Sequence, residues 1–103
     1  MWIIVLFDLP TTTPAERRYA SHFRSFLKKD GYSMIQYSVY ARLCNGQDSI
    51  DKHTKRIKQA LPPAGHIRLM QITDKQFERI TLLIGEKKPN EKPRPVYKQL
   101  SFF

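Results

Sequence analysis

The sequence lacks most of the parts from which enzymes assemble a site. A single cysteine, Cys44, among 103 residues excludes an internal disulfide and any thiolate metal cluster. Only four glycines are present, and none builds a Walker A loop, a G-x-G-x-x-G turn or a G-x-S-x-G nucleophile elbow. The RNP aromatic signature of RNA-recognition domains is missing as well. His22, His53 and His66 fall in separate predicted elements without paired spacing, and read as surface or boundary histidines. The leading apolar run, Trp2 to Phe7, is too short to span a membrane. It also lacks the basic lead-in and small-residue cleavage site of a signal peptide. The expectation is therefore a soluble, cytoplasmic protein with no membrane partner. Acids are scarce too: 9 Asp and Glu stand against 18 Lys and Arg, a net charge of +9. A small domain of that charge ordinarily meets a polyanion, most often nucleic acid.

What is present is a sequence of well-marked elements. Trp2–Phe7 is continuously apolar and β-branched at its centre, the pattern of a central strand buried on both faces. Thr13-Pro14-Ala15-Glu16 is a capping box with proline at the first helical position. The helix it opens carries Ala15, Tyr19, Phe23, Phe26 and Leu27 as an apolar stripe. Lys28-Lys29 complement its dipole, and Gly31 supplies the C-terminal turn.

Tyr32 to Leu43 alternates with period two, with Met34 beside Ile35 breaking the pattern. This is either one bent strand or a tight hairpin near Tyr37-Ser38. Asn45-Gly46 marks a turn, after which Asp48 or Ser49 caps a second helix. That helix bears Ile50, Ile57 and Leu61 on its apolar side and Lys52, Lys55, Arg56 and Lys58 on its wet side, and Pro62-Pro63 ends it. His66–Thr73 reads as a strand with Ile67 and Leu69 inward and Met70 and Ile72 as further candidates; Ile80–Ile84 reads as another. EKKPNEKPRP, residues 86–95, is a semi-rigid linker, and the strand-like VYKQLSFF, residues 96–103, needs a place to dock. The expected fold is α+β: a ferredoxin-like βαββαβ sandwich over residues 1–85 with an additional C-terminal strand. Its sheet is antiparallel and four-stranded, with both helices on one face.

Chemistry has few candidates. Asp8 ends the first strand, where α/β architectures commonly place ligands. It is either such a ligand or an acid that simply meets water as the chain leaves the core. One carboxylate is thin for Mg²⁺, which takes one or two together with waters and substrate phosphates. Two copies of the chain meeting at this strand end would supply a pair. The basic residues are more numerous: Arg17, Arg18, Arg24, Lys28 and Lys29 on the first helix, then Arg42 and the lysines of the second. Such side chains hold phosphate oxygens without reading sequence.

Several of these pieces occur together in a known order. An apolar first strand ending in Asp (IIVLFDL), Arg17-Arg18 on the following helix, Gly31, and then Gln36-Tyr37-Ser38-Val39-Tyr40 resemble CRISPR-associated protein family 2, over about residues 1 to 84. Tyr40 stands where the family commonly has Phe, and no second acid near Asp8 can be matched. The resemblance implies a ferredoxin-like homodimer whose C-terminal strand crosses to the partner's sheet, with Val96, Tyr97, Leu100 and Phe102 as docking residues. It implies a dimer seated between copies of the spacer integrase, holding the double-stranded DNA spacer precursor on a basic face. It also implies that Asp8 is an Mg²⁺ ligand shared between subunits, and that Arg17 and Arg18 are the family's basic pair. Some family members are assigned metal-dependent RNase or DNase activity, which makes Asp8 a candidate catalytic residue.

Three readings follow. In the first the protein is a duplex-binding scaffold for spacer acquisition. In the second it is a metal-dependent endonuclease acting on RNA or DNA through Asp8. In the third it is an unrelated ferredoxin-like RNA-binding or regulatory domain. The plentiful basic residues and the shortage of catalytic groups favour the first.

Overall fold

The computed structural model describes residues 1–85. In chain order the elements are β1 (Trp2–Asp8), α1 (Pro14–Lys29), β2 (Ser33–Gln36), β3 (Val39–Leu43), α2 (Gln47–Gln59), β4 (His66–Ile72) and a short α3 (Asp74–Glu78). The sheet runs β2-β3-β1-β4, and β1 is antiparallel to both of its neighbours. This is the expected ferredoxin-like plan. β1 occupies the middle because it alone is apolar on both faces. Ile3, Val5 and Phe7 join the core beneath the helices, while Trp2, Ile4 and Leu6 face the other way.

The helix-side core closes over β1 with Phe23 and Leu27 of α1, Ile50 and Ile57 of α2, and Tyr40 of β3. Phe7 meets Phe23 edge-on at 5.2 Å and stacks near Tyr40 at 5.7 Å, geometries that aromatic quadrupoles favour. The capping box forms as the sequence predicts. Thr13 accepts from the Glu16 amide, and Glu16 accepts from the Thr13 amide. Thr13→Ala is expected to lower stability by about 1 kcal/mol, visible as a shifted thermal midpoint with an unchanged circular-dichroism spectrum.

The other face of the sheet is less covered. Ile4 and Ala41 are buried there beside Trp2, Leu6, Ile35, Val39 and Ile72, and α3 lays Phe77 flat on Trp2 at 3.9 Å. α1 and α2 are not on this side, so Met70 and Leu43 remain exposed.

The structure departs from the sequence reading at several points. Residues 32–43 resolve as the hairpin alternative, with a register irregularity between Met34 and Gln36 and a turn at Tyr37-Ser38. α2 begins before Asp48, with Gly46 at the cap in a positive-φ conformation (+91°) and no side-chain cap at all. Glycine reaches that conformation without strain, so neither Asp48 nor Ser49 is needed. Leu61 lies past the C-cap Ala60 and is exposed rather than part of the helical stripe. On α1 the early stripe positions Ala15 and Tyr19 are exposed, and burial begins at Ala20. His53 is buried rather than on the boundary.

The largest correction concerns Ile80–Ile84, which forms no strand. Thr73 caps α3 immediately after β4, so the chain turns aside, and Ile80, Leu82, Leu83 and Ile84 are all exposed. Apolar, β-branched residues make a strand only where a sheet edge accepts their hydrogen bonds. The predicted linker 86–95 and strand 96–103 lie outside the described residues.

Candidate nucleic-acid interface

Asp8 is the last residue of β1 and stands directly opposite His66, the first residue of β4. Its Oδ1 accepts the His66 backbone N–H at 3.2 Å and lies 3.1 Å from His66 Nδ1. Among the described residues nothing bonds to Oδ2. The side chains are 81% and 74% exposed, respectively, so the pair sits in water rather than in a pocket wall. Asp8, Leu9, Pro10, Gly65 and His66 frame an open hollow. Gly65 makes this close approach possible. Its φ is +103°, and a β-carbon there would come within 2.6 Å of the Asp8 carbonyl oxygen. Strand alternation places Asp8 and His66 on the sheet face not covered by α1 and α2, in line with Trp2, Ile4 and Leu6.

The donor set suits a hard cation held by one carboxylate. No group of three or more His, Cys, Asp and Glu side chains is gathered among the described residues. Magnesium commonly accepts such poor protein ligation, keeping its waters and taking substrate phosphate oxygens. Asp8 Oδ2 is the oxygen here that could meet such a cation, and no further carboxylate among the described residues is gathered beside it. His66, set aside from sequence as a surface histidine, is the residue missed here. Only its cross-strand register beside Asp8 would have found it.

The basic residues divide by what they touch. Arg17 donates to the carbonyls of Thr11 and Thr12, each at 3.1 Å, and so holds the loop between β1 and α1. Arg42 is half-buried, and its Nη1 donates to the Asp30 carbonyl at 2.8 Å. Arg24 is half-buried on α1, close enough to act electrostatically on the Tyr40 hydroxyl. Arg18, Lys28 and Lys29 extend into solvent from α1, as do Lys52, Lys55 and Lys58 from α2. These six exposed cations lie on the two helices that cover one side of the sheet, together with the exposed Arg17 and Arg56, while Arg68, Lys75 and Arg79 are exposed on β4 and at α3.

A second polar cluster sits beneath this helical layer. Asp30, the C-cap of α1, is 7% exposed and reaches across to α2. Its Oδ2 meets His53 Nδ1 at 2.7 Å, and its Oδ1 accepts from Arg56 Nη1 at 2.7 Å. Burial pushes the Asp30 carboxyl upward, but its bonds and charge interactions with His53 and Arg56 outweigh this and hold it below the ordinary value. Tyr32, close by, is raised well above the usual phenol range, chiefly by burial and then by the Asp30 charge. Sequence spacing gives no sign of this cluster, because Asp30 ends α1 while His53 and Arg56 lie 23 and 26 positions later on α2.

Fold and site together define a strongly basic ferredoxin-like domain with a solvent-facing carboxylate at the mouth of its central strand. Residues 1–80 match the family model described as CRISPR associated protein Cas2. A CRISPR-associated endoribonuclease Cas2 of Flavobacterium psychrophilum is 50% identical over 103 residues, spanning 100% of this chain and 88% of the relative. The protein of the same name from Parvibaculum lavamentivorans is 42% identical over 100 residues, 97% of this chain and 99% of the relative. The chain belongs to the Cas2 family. Its fold is also that of Streptococcus pyogenes Cas2, with a TM-score of 0.63 at 23% identity over 81% of this chain and 99% of that one. No helix among the described residues is long and apolar enough to cross a membrane.

Proposed function

We propose that this protein serves CRISPR spacer acquisition in the cytoplasm, as a basic homodimer that holds the double-stranded spacer precursor and bridges copies of the spacer integrase. The observation that carries this reading is the set of exposed cations on α1 and α2, which acids do not balance. Phosphate oxygens are the partner such a surface fits, and backbone contacts suit a protein that must accept precursors of any sequence. Dimerisation is supported by the sparsely covered sheet face and by the exposed Ile80–Ile84 segment beside it. Asp8 shares that face, so two copies packed through it would bring two Asp8 carboxylates toward one seam. Val96, Tyr97, Leu100 and Phe102, the docking residues proposed for the tail, lie outside the described residues.

A second reading is favoured by one feature: Asp8 keeps Oδ2 free while His66 fixes Oδ1. This is the arrangement of a metal ligand, and the relatives above are named endoribonucleases. Mg²⁺, when bound, would supply polarisation of a phosphate and an acidified water. The chain's own part is to orient the carboxylate through the His66 amide and to offer the His66 imidazole as a base within reach.

Asp8→Ala separates the two. As a scaffold, the variant is expected to retain duplex binding and integration in an assay with the purified integrase. Loss of integration by a folded dimer would overturn the scaffold. As a nuclease, the wild type cleaves single-stranded RNA only with Mg²⁺, and Asp8→Ala loses at least about a hundredfold in rate.

A further inference from the structure

The β2–β3 hairpin turn carries an aromatic residue that neither the fold nor the readings above use. Tyr37 is 88% exposed, more than any other described aromatic, although a tyrosine ring normally covers apolar neighbours. Its neighbour Ser38 adopts φ +61°, a conformation uncommon outside glycine that concentrates at functional sites. The turn is not loose. The Ser38 carbonyl accepts the Phe7 amide at 3.1 Å, tying the hairpin tip to β1 one residue before Asp8. Arg68, exposed on β4, pairs with Leu6 two residues before Asp8, so an arginine lies toward the same end of the sheet. A solvent-exposed aromatic held by the hairpin thus shares this end of the sheet with a cation and the Asp8 carboxylate.

We propose that Tyr37 is a nucleobase-stacking contact, taking an unpaired base at the Asp8 end of the sheet while nearby cations hold the adjoining phosphate. A paired base hides both of its faces within the duplex stack, whereas an unpaired base offers a π-face to an exposed ring. An arginine at the same end of the sheet supplies the charge that backbone capture needs. The same chemistry is offered by single-stranded RNA and by the splayed end of a DNA duplex. The inference rests on the nucleic-acid reading above, and it adds a preference for unpaired nucleotides that cations alone would not produce.

The test compares wild type, Tyr37→Ala and Tyr37→Phe on three probes: a blunt DNA duplex, the same duplex with a single-stranded overhang containing 2-aminopurine, and a single-stranded RNA containing 2-aminopurine. Fluorescence anisotropy reads affinity, 2-aminopurine quenching reads stacking, and sedimentation reads oligomeric state. Tyr37→Ala is expected to weaken binding of the unpaired probes about five- to hundredfold and to abolish quenching, with blunt-duplex affinity unchanged. Tyr37→Phe, which keeps the ring, is expected to match wild type in both readouts. Quenching on the overhang alone or on the RNA alone identifies which source supplies the base. Unchanged quenching in Tyr37→Ala, an equal loss on the blunt duplex, or an altered oligomeric state would overturn the stacking role while leaving duplex binding intact. Failure of the wild type to bind any probe would overturn the nucleic-acid reading as well.

Discussion

Raising salt from about 50 to about 200 mM is expected to weaken duplex binding by roughly a thousandfold. Arg18, Lys28, Lys29, Lys52, Lys55 and Lys58 are exposed on α1 and α2. If each neutralises one phosphate, the double-logarithmic slope is roughly −5, because each contact releases about 0.9 of a condensed counterion. A fourfold rise in salt then removes about three decades of affinity. Removing Lys28 and Lys29 together is expected to make the slope shallower by roughly 2 while costing only about 1 kcal/mol of stability through the α1 dipole. Arg42→Ala should behave differently. Its guanidinium holds the Asp30 carbonyl, so its loss should appear in the melting temperature more than in the salt slope. Anisotropy titrations across a salt series check both points. A flat profile would rule out backbone recognition.

The second large effect is on stability. Asp30→Ala is expected to cost about 1–3 kcal/mol, the penalty for leaving the buried His53 N–H without its acceptor. The carboxylate joins the end of α1 to His53 and Arg56 of α2, and its backbone carbonyl receives Arg42 from β3. Without it, His53 keeps a buried Nδ1 facing no acceptor. A domain of this size is stable by only about 5–15 kcal/mol, so the thermal midpoint should fall by roughly 5–20 °C.

The same group sets an acid limb. The folded carboxyl titrates below its ordinary value of 3.8, so the folded state binds the proton less readily than the unfolded chain does. Its stabilisation is therefore fully present above the unfolded value and is lost as pH falls through the folded one. Denaturant midpoints measured down the acid range check the sign. Asp30→Asn should flatten that limb, and an unchanged limb would mean that other carboxylates govern it.

Much of this arrangement was legible from local rules. The capping box at Thr13 uses residues three apart, so its hydrogen bonds need nothing beyond the first helical turn. β1 was recognisable as central because an apolar run on both faces has nowhere else to be buried. Asp8 stood out because it ends that run. The exposed cations of both helices followed from periodicity, which separates the wet side of a helix from the packed side.

The failures have a common cause in contacts made across the chain. Ile80–Ile84 has strand composition, yet α3 intervenes and no edge receives it among the described residues. His53 looked like a boundary residue until Asp30, 23 positions earlier, supplied a buried acceptor. His66 is the surface residue the sequence suggests, but its place opposite Asp8, 58 positions away, came only from the pairing of β4 with β1. Arg17 and Arg42 were singled out as phosphate ligands by charge and, for Arg17, by the family resemblance; that the fold also engages both with backbone carbonyls could not be read from the sequence.

The sequence by itself determined the order of elements through β4, the central strand, the capping box of α1, the excess of positive charge and the family resemblance, because these depend on neighbours within a turn or two and on composition. The tertiary structure alone decided which cations remain free, which carboxylate is buried, and which histidine stands beside Asp8. Those outcomes depend on strand register and on helix packing over the sheet. Both are fixed by the burial of many side chains at once, not by any local pattern.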